Sequence, residues 1–91
     1  NIWSFVYPTH LIPDNIDLMI LEQPSSLYEV QCWLDSYRKR IQEKGLIFIY
    51  SDTLFSSSKN GWKTFCARND LVNVHEYIKG ETEIRAIVLA N

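Results

Sequence analysis

The stretch over residues 22–50 constrains the fold of this 91-residue chain more than any other feature. Within it, five apolar residues recur at alternating spacings of three and four, which aligns them along one stripe of an α-helix: Leu27, Val30, Leu34, Tyr37 and Ile41. Ser26 and Glu29 match the Ser-x-x-Glu capping box that begins a helix, and Gly45 is the residue type that closes one. This pattern predicts one main helix over residues 26–44.

Apolar runs flank the predicted helix on both sides. Residues 16–21 are almost continuously apolar, and residues 46–50 read Leu-Ile-Phe-Ile-Tyr without a polar interruption. Runs of this kind are typical of strands that are covered on both faces of a sheet. With the helix between them, the two strands form a candidate right-handed βαβ crossover, in which they would run parallel.

The remainder of the chain shows the signals of further strands. Residues 2–7 alternate, with Ile2, Ser4 and Val6 on one side and Trp3, Phe5 and Tyr7 on the other. Asn60-Gly61 is a two-residue hairpin signal, so residues 62–67 are predicted to be a return strand. Residues 52–59 leave two alternatives open, because the aspartate that begins this segment could also cap a short helical turn.

A second hairpin is predicted from residues 71–79 and 82–90, joined by a turn at Gly80-Glu81 with the glycine first. Its register places four pairs opposite each other: Glu76 with Arg85, Tyr77 with Ile84, Val74 with Ile87 and Val72 with Leu89. The first is a favourable ion pair, and the other three are apolar pairs. Because a shift by one residue would break all four, the pattern specifies the register.

These elements together predict the fold class. The chain is expected to be a single small α+β domain over residues 1–91, with one mixed, mostly antiparallel sheet of five to six strands and the 26–44 helix packed on one face. A length of 91 residues suits one domain with one core. Because the chain begins with Asn1 rather than Met, we expect it to be cut from a longer chain.

One helix cannot cover both faces of the predicted sheet. Several strands present apolar side chains to both faces, and soluble monomers seldom leave a large apolar patch in water unless it binds something. The second face is therefore expected to be closed by sheet curvature, by a second subunit or by other parts of a longer chain. Trp3, Phe5 and Tyr7 are the candidate partner-binding residues, because aromatic residues dominate interface cores; the alternative is that they belong to the core.

Charge, hydropathy and cysteine content argue against several classes of partner and location. A formal net charge of −2 and a pI near 5.6 give no basic excess for binding nucleic acid or an anionic membrane. No apolar run approaches the roughly 20 residues of a membrane helix. Cys32 and Cys66 form no disulfide framework, which favours a reducing compartment and predicts a cytoplasmic location.

No motif in the sequence predicts catalytic, metal-binding or cofactor chemistry. His10 and His75 lack the local spacing of a zinc site. Three glycines, at positions 45, 61 and 80, cannot form a glycine-rich phosphate loop. Neither cysteine has the neighbours of a reactive nucleophile. We therefore expect no catalytic residue, no metal and no cofactor.

On these grounds the sequence predicts a non-catalytic protein interaction or assembly module, such as an adaptor, an inhibitor or a subunit-like domain. It would self-associate or dock onto a partner protein through an apolar sheet face. The alternative is a small enzyme, or a ligand- or metal-binding domain, whose site is completed by dimerisation with His75, Glu76 or Glu22 contributing. A third hypothesis is single-stranded nucleic-acid binding on the aromatic first strand, against which the placement of basic residues on the helix argues.

Overall fold

A computed structural model of the chain describes residues 2–4, 14–56 and 58–90, the first of these ranges as backbone alone. The elements follow in the order β1 (Ile2–Ser4), β2 (Ile16–Glu22), α1 (Leu27–Tyr37), β3 (Ile41–Ser51), α2 (Lys59–Arg68), β4 (Leu71–Lys79) and β5 (Thr82–Leu89). A single 3₁₀ turn, Arg38–Arg40, joins α1 to β3.

The strands form one sheet in the order β1-β2-β3-β5-β4. β1 pairs with β2 and β2 pairs with β3 in parallel, while β5 pairs antiparallel with both β3 and β4. Four of these strands are long, and β1 adds three residues at one edge. The parallel pairing of β2 with β3, with α1 between them in the chain, is the arrangement that the apolar runs at 16–21 and 46–50 suggest.

The predicted fold class is wrong in two respects. Four of the five strands are long and β1 is a three-residue edge strand, and the parallel pairings are as many as the antiparallel ones, so the sheet is not mostly antiparallel. The described part of the chain also contains two α-helices instead of one. The hairpin signal at Asn60-Gly61 contributes to both errors, because it replaces a helix with antiparallel strands in the prediction.

Helix α1 begins where the sequence predicts and ends well before residue 44. The N-cap residue is Ser26, whose hydroxyl accepts a hydrogen bond from the Glu29 N–H at 3.4 Å. The Glu29 carboxylate accepts bonds from the N–H and hydroxyl of Ser25 instead of the N–H of Ser26, so only this half of the capping box is displaced, by one residue. The helix ends at Tyr37, and residues 41–45 already belong to β3.

Gly45 does not close the helix, and its role is steric. The left-handed conformation falls on Lys44, which has a φ of 66°, rather than on Gly45. A Cβ atom at position 45 would lie 2.9 Å from the backbone oxygens of both Gln42 and Ile16. Glycine therefore permits the close approach of β2 and β3 where the register between these strands shifts.

The segment predicted as a return strand forms helix α2. The hydroxyl of Ser58 caps this helix by accepting the backbone N–H three residues later at 2.9 Å. Trp62, Phe65 and Cys66 recur at helical spacing and are all buried. The Asn60-Gly61 pair lies in the first turn, because burial of this stripe against the sheet outweighs the local preference of the pair for a hairpin turn.

The β4–β5 hairpin follows the predicted register only near its turn. Glu76 pairs with Arg85 and Tyr77 pairs with Ile84, as predicted. A bulge between Asn73 and His75 then shifts the remaining pairs, so that Ile87 lies opposite Asn73 and Val88 opposite Val72. The two predicted pairs beyond the bulge, Val74 with Ile87 and Val72 with Leu89, are therefore wrong, because a bulge displaces one strand by one residue.

Helices α1 and α2 pack on the same side of the sheet and enclose the core. The alternate strand residues that face them are almost completely buried: Met19, Leu21, Ile47, Ile49 and Ile87. The helices contribute Val30, Trp33, Leu34, Trp62 and Phe65 to the same cluster. Gln31 on α1 and Asn69 after α2 exchange two side-chain hydrogen bonds, at 2.7 and 2.8 Å, which link the helices to each other.

The opposite side of the sheet carries a second apolar surface, which we call the apolar sheet face. Its residues form three rows across β2, β3, β5 and β4: Leu18, Leu46, Val88 and Val72; Ile20, Phe48, Ala86 and His75; and Glu22, Tyr50, Ile84 and Tyr77. Apart from Ala86, these side chains are half-buried or exposed. Both described helices pack on the other side.

Candidate functional site

The carboxyl ends of the parallel strands β2 and β3 bring several polar residues together at one edge of the sheet. The register places Glu22, the last residue of β2, beside Tyr50 near the end of β3. In open α/β sheets, ligands bind outside the carboxyl ends of the strands. Five residues at these two ends are joined by side-chain hydrogen bonds and form what we call the carboxyl-edge cluster: Gln23, Tyr50, Ser51, Asp52 and Thr53.

Gln23 links the two strand ends and has an unusual backbone conformation. Its φ of 53° lies in the left-handed region, which few residues other than glycine adopt. Its side-chain Nε2 donates to Asp52 Oδ2 at 2.9 Å, and its Oε1 accepts the Asp52 N–H at 3.0 Å and the Ser51 hydroxyl at 3.3 Å. A strained backbone conformation persists only where the surrounding contacts hold it in place, and such residues are often found at ligand-binding positions.

Asp52 and Tyr50 share a short hydrogen bond, in which the Tyr50 hydroxyl donates to Asp52 Oδ1 at 2.5 Å. This bond, followed by the one from Gln23, lowers the pKa of Asp52 below the usual value of an aspartate, so the carboxylate keeps its charge to lower pH. The same bond and the negative charge of Asp52 raise the pKa of Tyr50, so that its phenol keeps its proton. The pair therefore presents a fixed anion and a fixed donor rather than a group that exchanges protons near neutral pH.

The Asp52→Asn substitution is expected to lower the pKa of Tyr50 toward its usual value. The anion that favours the protonated phenol is removed, so the phenolate forms at lower pH. The chemical shift of the Tyr50 Cζ carbon, followed by NMR through an alkaline titration, measures this change. Asp35→Asn removes the same charge from the exposed surface of α1 and is the control; equal Tyr50 titrations in the two variants would contradict the hydrogen bond.

A second group of charges lies beneath α2 and is structural. Arg85 is 1% exposed, and it donates to the completely buried Glu83 at 2.7 Å and to the half-exposed Glu76. The guanidinium carbon also lies 4.6 Å from the centre of the Trp62 ring, within the range of cation–π attraction. Because the buried cation and the buried anion are already paired, we do not assign a binding site to this group.

Three of the residues singled out by the sequence cannot be compared with the structure. Phe5, Tyr7 and His10 lie outside the described residues. Trp3 is described by its backbone alone, which pairs with Met19 between β1 and β2. The partner-binding role of Trp3, Phe5 and Tyr7 therefore stays a prediction.

The residues considered for a dimer-completed site do not come together within one chain. Glu22 and His75 belong to different rows of the apolar sheet face and lie on β2 and β4, which are separated by two strands. Glu76 faces the opposite side and pairs with Arg85. Among the residues that the structure describes, no three His, Cys, Asp or Glu side chains are placed to hold a metal ion.

Sequence analysis missed the carboxyl-edge cluster, although a signal for it exists. Gln23 and Asp52 each follow one of the two apolar runs that were predicted to be parallel strands. Because carboxyl ends of parallel strands meet at one edge of a sheet, that prediction already placed these two residues close together. The left-handed backbone of Gln23 has no comparable signal, because glutamine is not a residue type that prefers it.

The glycines of this chain lie away from the carboxyl ends of the parallel strands. Its three glycines lie in β3, in α2 and in the β4–β5 turn. None of them follows the carboxyl end of a parallel strand, where the glycine-rich loop of a dinucleotide-binding fold lies.

None of the described helices has the length and hydrophobicity that a bilayer crossing requires.

No protein-family model matches this chain, and no curated protein matches its sequence. Among solved structures, the ribosomal protein L11 methylase from Lactobacillus delbrueckii subsp. bulgaricus is similar, with a TM-score of 0.67 and 13% identity over 90% of this chain and 41% of that chain. The M1A22 tRNA methyltransferase TrmK from B. subtilis has a TM-score of 0.60 and 9% identity over 82% of this chain and 32% of that chain. The chain thus shares a fold with two methyltransferases and spans less than half the length of each.

Proposed function

We propose that this domain is the acceptor-binding part of a methyl-transfer enzyme, and that the carboxyl-edge cluster holds the methyl acceptor. The observation that carries the proposal is the position of the cluster at the shared carboxyl ends of β2 and β3, where open α/β sheets bind their ligands. The similarity of the fold to two methyltransferases supports methyl transfer as the reaction class. That support is an analogy of fold, and the cluster supplies the site.

The charges of the cluster favour an acceptor with N–H groups. Asp52 is ionised, and its bonds to Tyr50 and Gln23 use two of the roughly four lone-pair positions of a carboxylate. Glu22 adds a second exposed carboxylate beside Tyr50. The cluster contains no lysine or arginine, so it suits an amine, amide or guanidinium better than a phosphate.

The methyl donor would be bound by polypeptide other than the described residues. Among the described residues, no glycine-rich loop follows the carboxyl end of a parallel strand. The task of these residues is therefore to bind and orient the acceptor. The fixed anion of Asp52 and the bridging amide of Gln23 give that orientation, because their hydrogen bonds to each other hold both groups in place.

Methylguanidinium chloride is expected to perturb the backbone amide signals of Gln23, Asp52 and Thr53 when it is titrated into the ¹⁵N-labelled chain. Its N–H groups match the carboxylate of Asp52, and a charge-assisted hydrogen bond is about twice as strong as a neutral one. The Asp52→Asn variant should weaken this binding by roughly tenfold, since the charged acceptor is lost. Dissociation constants from the NMR titration measure the difference.

The controls distinguish binding at the carboxyl-edge cluster from nonspecific attraction of a cation to an acidic protein. Asp35→Asn removes one charge from α1 and should leave the affinity unchanged. Tetramethylammonium chloride carries the same charge without an N–H group and should perturb these amides less. Equal weakening by Asp52→Asn and Asp35→Asn, or perturbations confined to other parts of the chain, would refute the proposed acceptor site.

A second candidate function is the non-catalytic assembly module that the sequence predicts. The observation that favours it is the apolar sheet face, since surfaces of this kind mark protein contacts. In this case the domain would join a partner protein or a second copy through that face, with Trp3, Phe5 and Tyr7 as further contact residues. Failure of methylguanidinium to bind, together with no transfer of a labelled methyl group by the complete encoded polypeptide, would favour this function over the first.

A further inference from the structure

The two sides of the sheet differ in burial although both are apolar. Along β3, Ile47 and Ile49 face the helices and are completely buried, whereas Leu46 and Phe48 belong to the apolar sheet face and are half-buried. At the β4 edge of the same face, Val72 is 48% and Tyr77 is 46% exposed. The sheet therefore has one side that the helices bury and one side on which apolar side chains remain partly exposed.

The parallel strands β2 and β3 carry apolar side chains on both sides of the sheet. Sheets built entirely of parallel strands are found almost only where helices cover both faces, and strands that are apolar on both faces are the sequence pattern of such sheets. Here the helices that follow β2 and β3 both pack on one side. Exposed apolar patches of more than a few hundred Å² mark interaction surfaces in soluble proteins.

We propose that the apolar sheet face is covered by a layer of amphipathic helices, contributed by further polypeptide to which this domain is covalently linked. The lengths of the similar solved structures favour this occupant, because the matched region is only 41% and 32% of those two chains. The inference does not require methyl transfer, since it rests on the sheet and on chain length.

The width of the face sets the number of helices in the layer. Four strands at about 4.8 Å spacing give a surface roughly 19 Å wide. Packed helices lie about 8–10 Å apart, so two helices side by side fill this width. One helix would leave half of the strands uncovered.

The charges on the face define the chemistry of these helices. The row of Leu18, Leu46, Val88 and Val72 contains no ionisable residue, so the covering surface must be aliphatic or aromatic there. Lys79 lies two residues after Tyr77 on β4, in register with Thr82, so it is on the same side of the sheet as Tyr77 and borders the face there. The helix over β4 is therefore expected to carry an acidic residue near Lys79.

Thiol reactivity at Val88 tests the proposal. Val88→Cys places a thiol in the face, and Thr64→Cys places one on the exposed surface of α2 as the matched control. Both are made with Cys32→Ser, which removes the exposed native thiol, while Cys66 is buried. Rates of reaction with 5,5′-dithiobis(2-nitrobenzoate) are measured in the 91-residue chain and in the complete encoded polypeptide.

The proposal predicts that the Val88→Cys thiol reacts readily in the 91-residue chain at every protein concentration. In the complete polypeptide, which should be monomeric by light scattering, its rate should fall by at least about 100-fold, because reaction then requires local opening of the layer. The Thr64→Cys thiol should react at the same rate in both. The readout is independent of ligand binding, so a failed methyl-transfer assay leaves this test intact.

Four results would overturn the inference. A coding sequence that contains only these residues would leave no polypeptide to form the layer. An unprotected Val88→Cys thiol in a longer polypeptide would show that the face stays open. Protection in the 91-residue chain that grows with its concentration would identify a second copy as the occupant. Protection of that chain by phosphatidylcholine vesicles would identify a lipid surface instead.

Discussion

The Arg85→Ala substitution is expected to lower the free energy of unfolding by about 3–5 kcal/mol, because it leaves a buried carboxylate without its counter-ion. Glu83 is completely buried, and its two oxygens accept from Arg85 at 2.7 Å and from the Ser56 N–H at 3.2 Å. The substitution also removes the cation that lies over the Trp62 ring. Domains of this size are stable by only about 5–15 kcal/mol, so a large part of the stability would be lost.

Two further variants show whether the effect arises from the uncompensated charge. Glu76→Gln removes the half-exposed partner of Arg85 and should cost less than about 1 kcal/mol. The double variant Glu83→Gln/Arg85→Met removes both buried charges and should be more stable than Arg85→Ala alone, since no unpaired ion remains. Urea unfolding followed by tryptophan fluorescence measures all three. A cost of Arg85→Ala no larger than that of Glu76→Gln would refute the buried ion pair.

The Ile47→Ala substitution is expected to cost about 2–5 kcal/mol, the range observed when a buried aliphatic side chain is truncated. Ile47 is completely buried, and it pairs with Met19 and Ile87, which are also completely buried. Its neighbour Leu46 has the same number of side-chain atoms but points to the apolar sheet face. Leu46→Ala in the 91-residue chain is therefore expected to cost less than half as much, because less apolar surface is buried at that position.

Urea unfolding of the two variants in parallel measures this difference. The slope of the unfolding free energy against urea concentration shows whether the unfolded state has changed. The same pair in a longer polypeptide that contains the domain should give similar costs, because the proposed helical layer would then bury Leu46 as well. Equal costs in the 91-residue chain, independent of protein concentration, would mean that both sides of β3 are already covered. That result would contradict the two-sided description of the sheet.

The location of the candidate site could be predicted from the sequence, but its chemistry could not. Its location follows from the parallel pairing of two apolar runs, each of which is followed by two polar residues, Glu22-Gln23 and Ser51-Asp52. Its chemistry does not follow in the same way. The lowered pKa of Asp52 depends on the position of the Tyr50 hydroxyl, and the bridging role of Gln23 depends on a left-handed backbone. Both are set by how the two strand ends lie against each other.

Local signals predicted some boundaries correctly and others wrongly, for a common reason. The cap at Ser26 was right because it involves only backbone groups of the following turn. Gly45 and the Asn60-Gly61 pair were assigned to a helix end and a hairpin turn, yet they lie in a strand and a helix. Both sequence signals describe what a short segment prefers in isolation, and contacts with the sheet outweighed that preference.

The sequence by itself determined the apolar strands, the start of α1, the β4–β5 turn and the excess of apolar surface over what one helix can cover. These properties depend on neighbouring residues and on periodicity, which are present in the chain before it folds. Only the tertiary structure decided that α2 is a helix, that both helices pack on one side and that Arg85 is buried with Glu83. Those outcomes depend on contacts between residues distant in sequence, and no local pattern encodes the energy of such contacts.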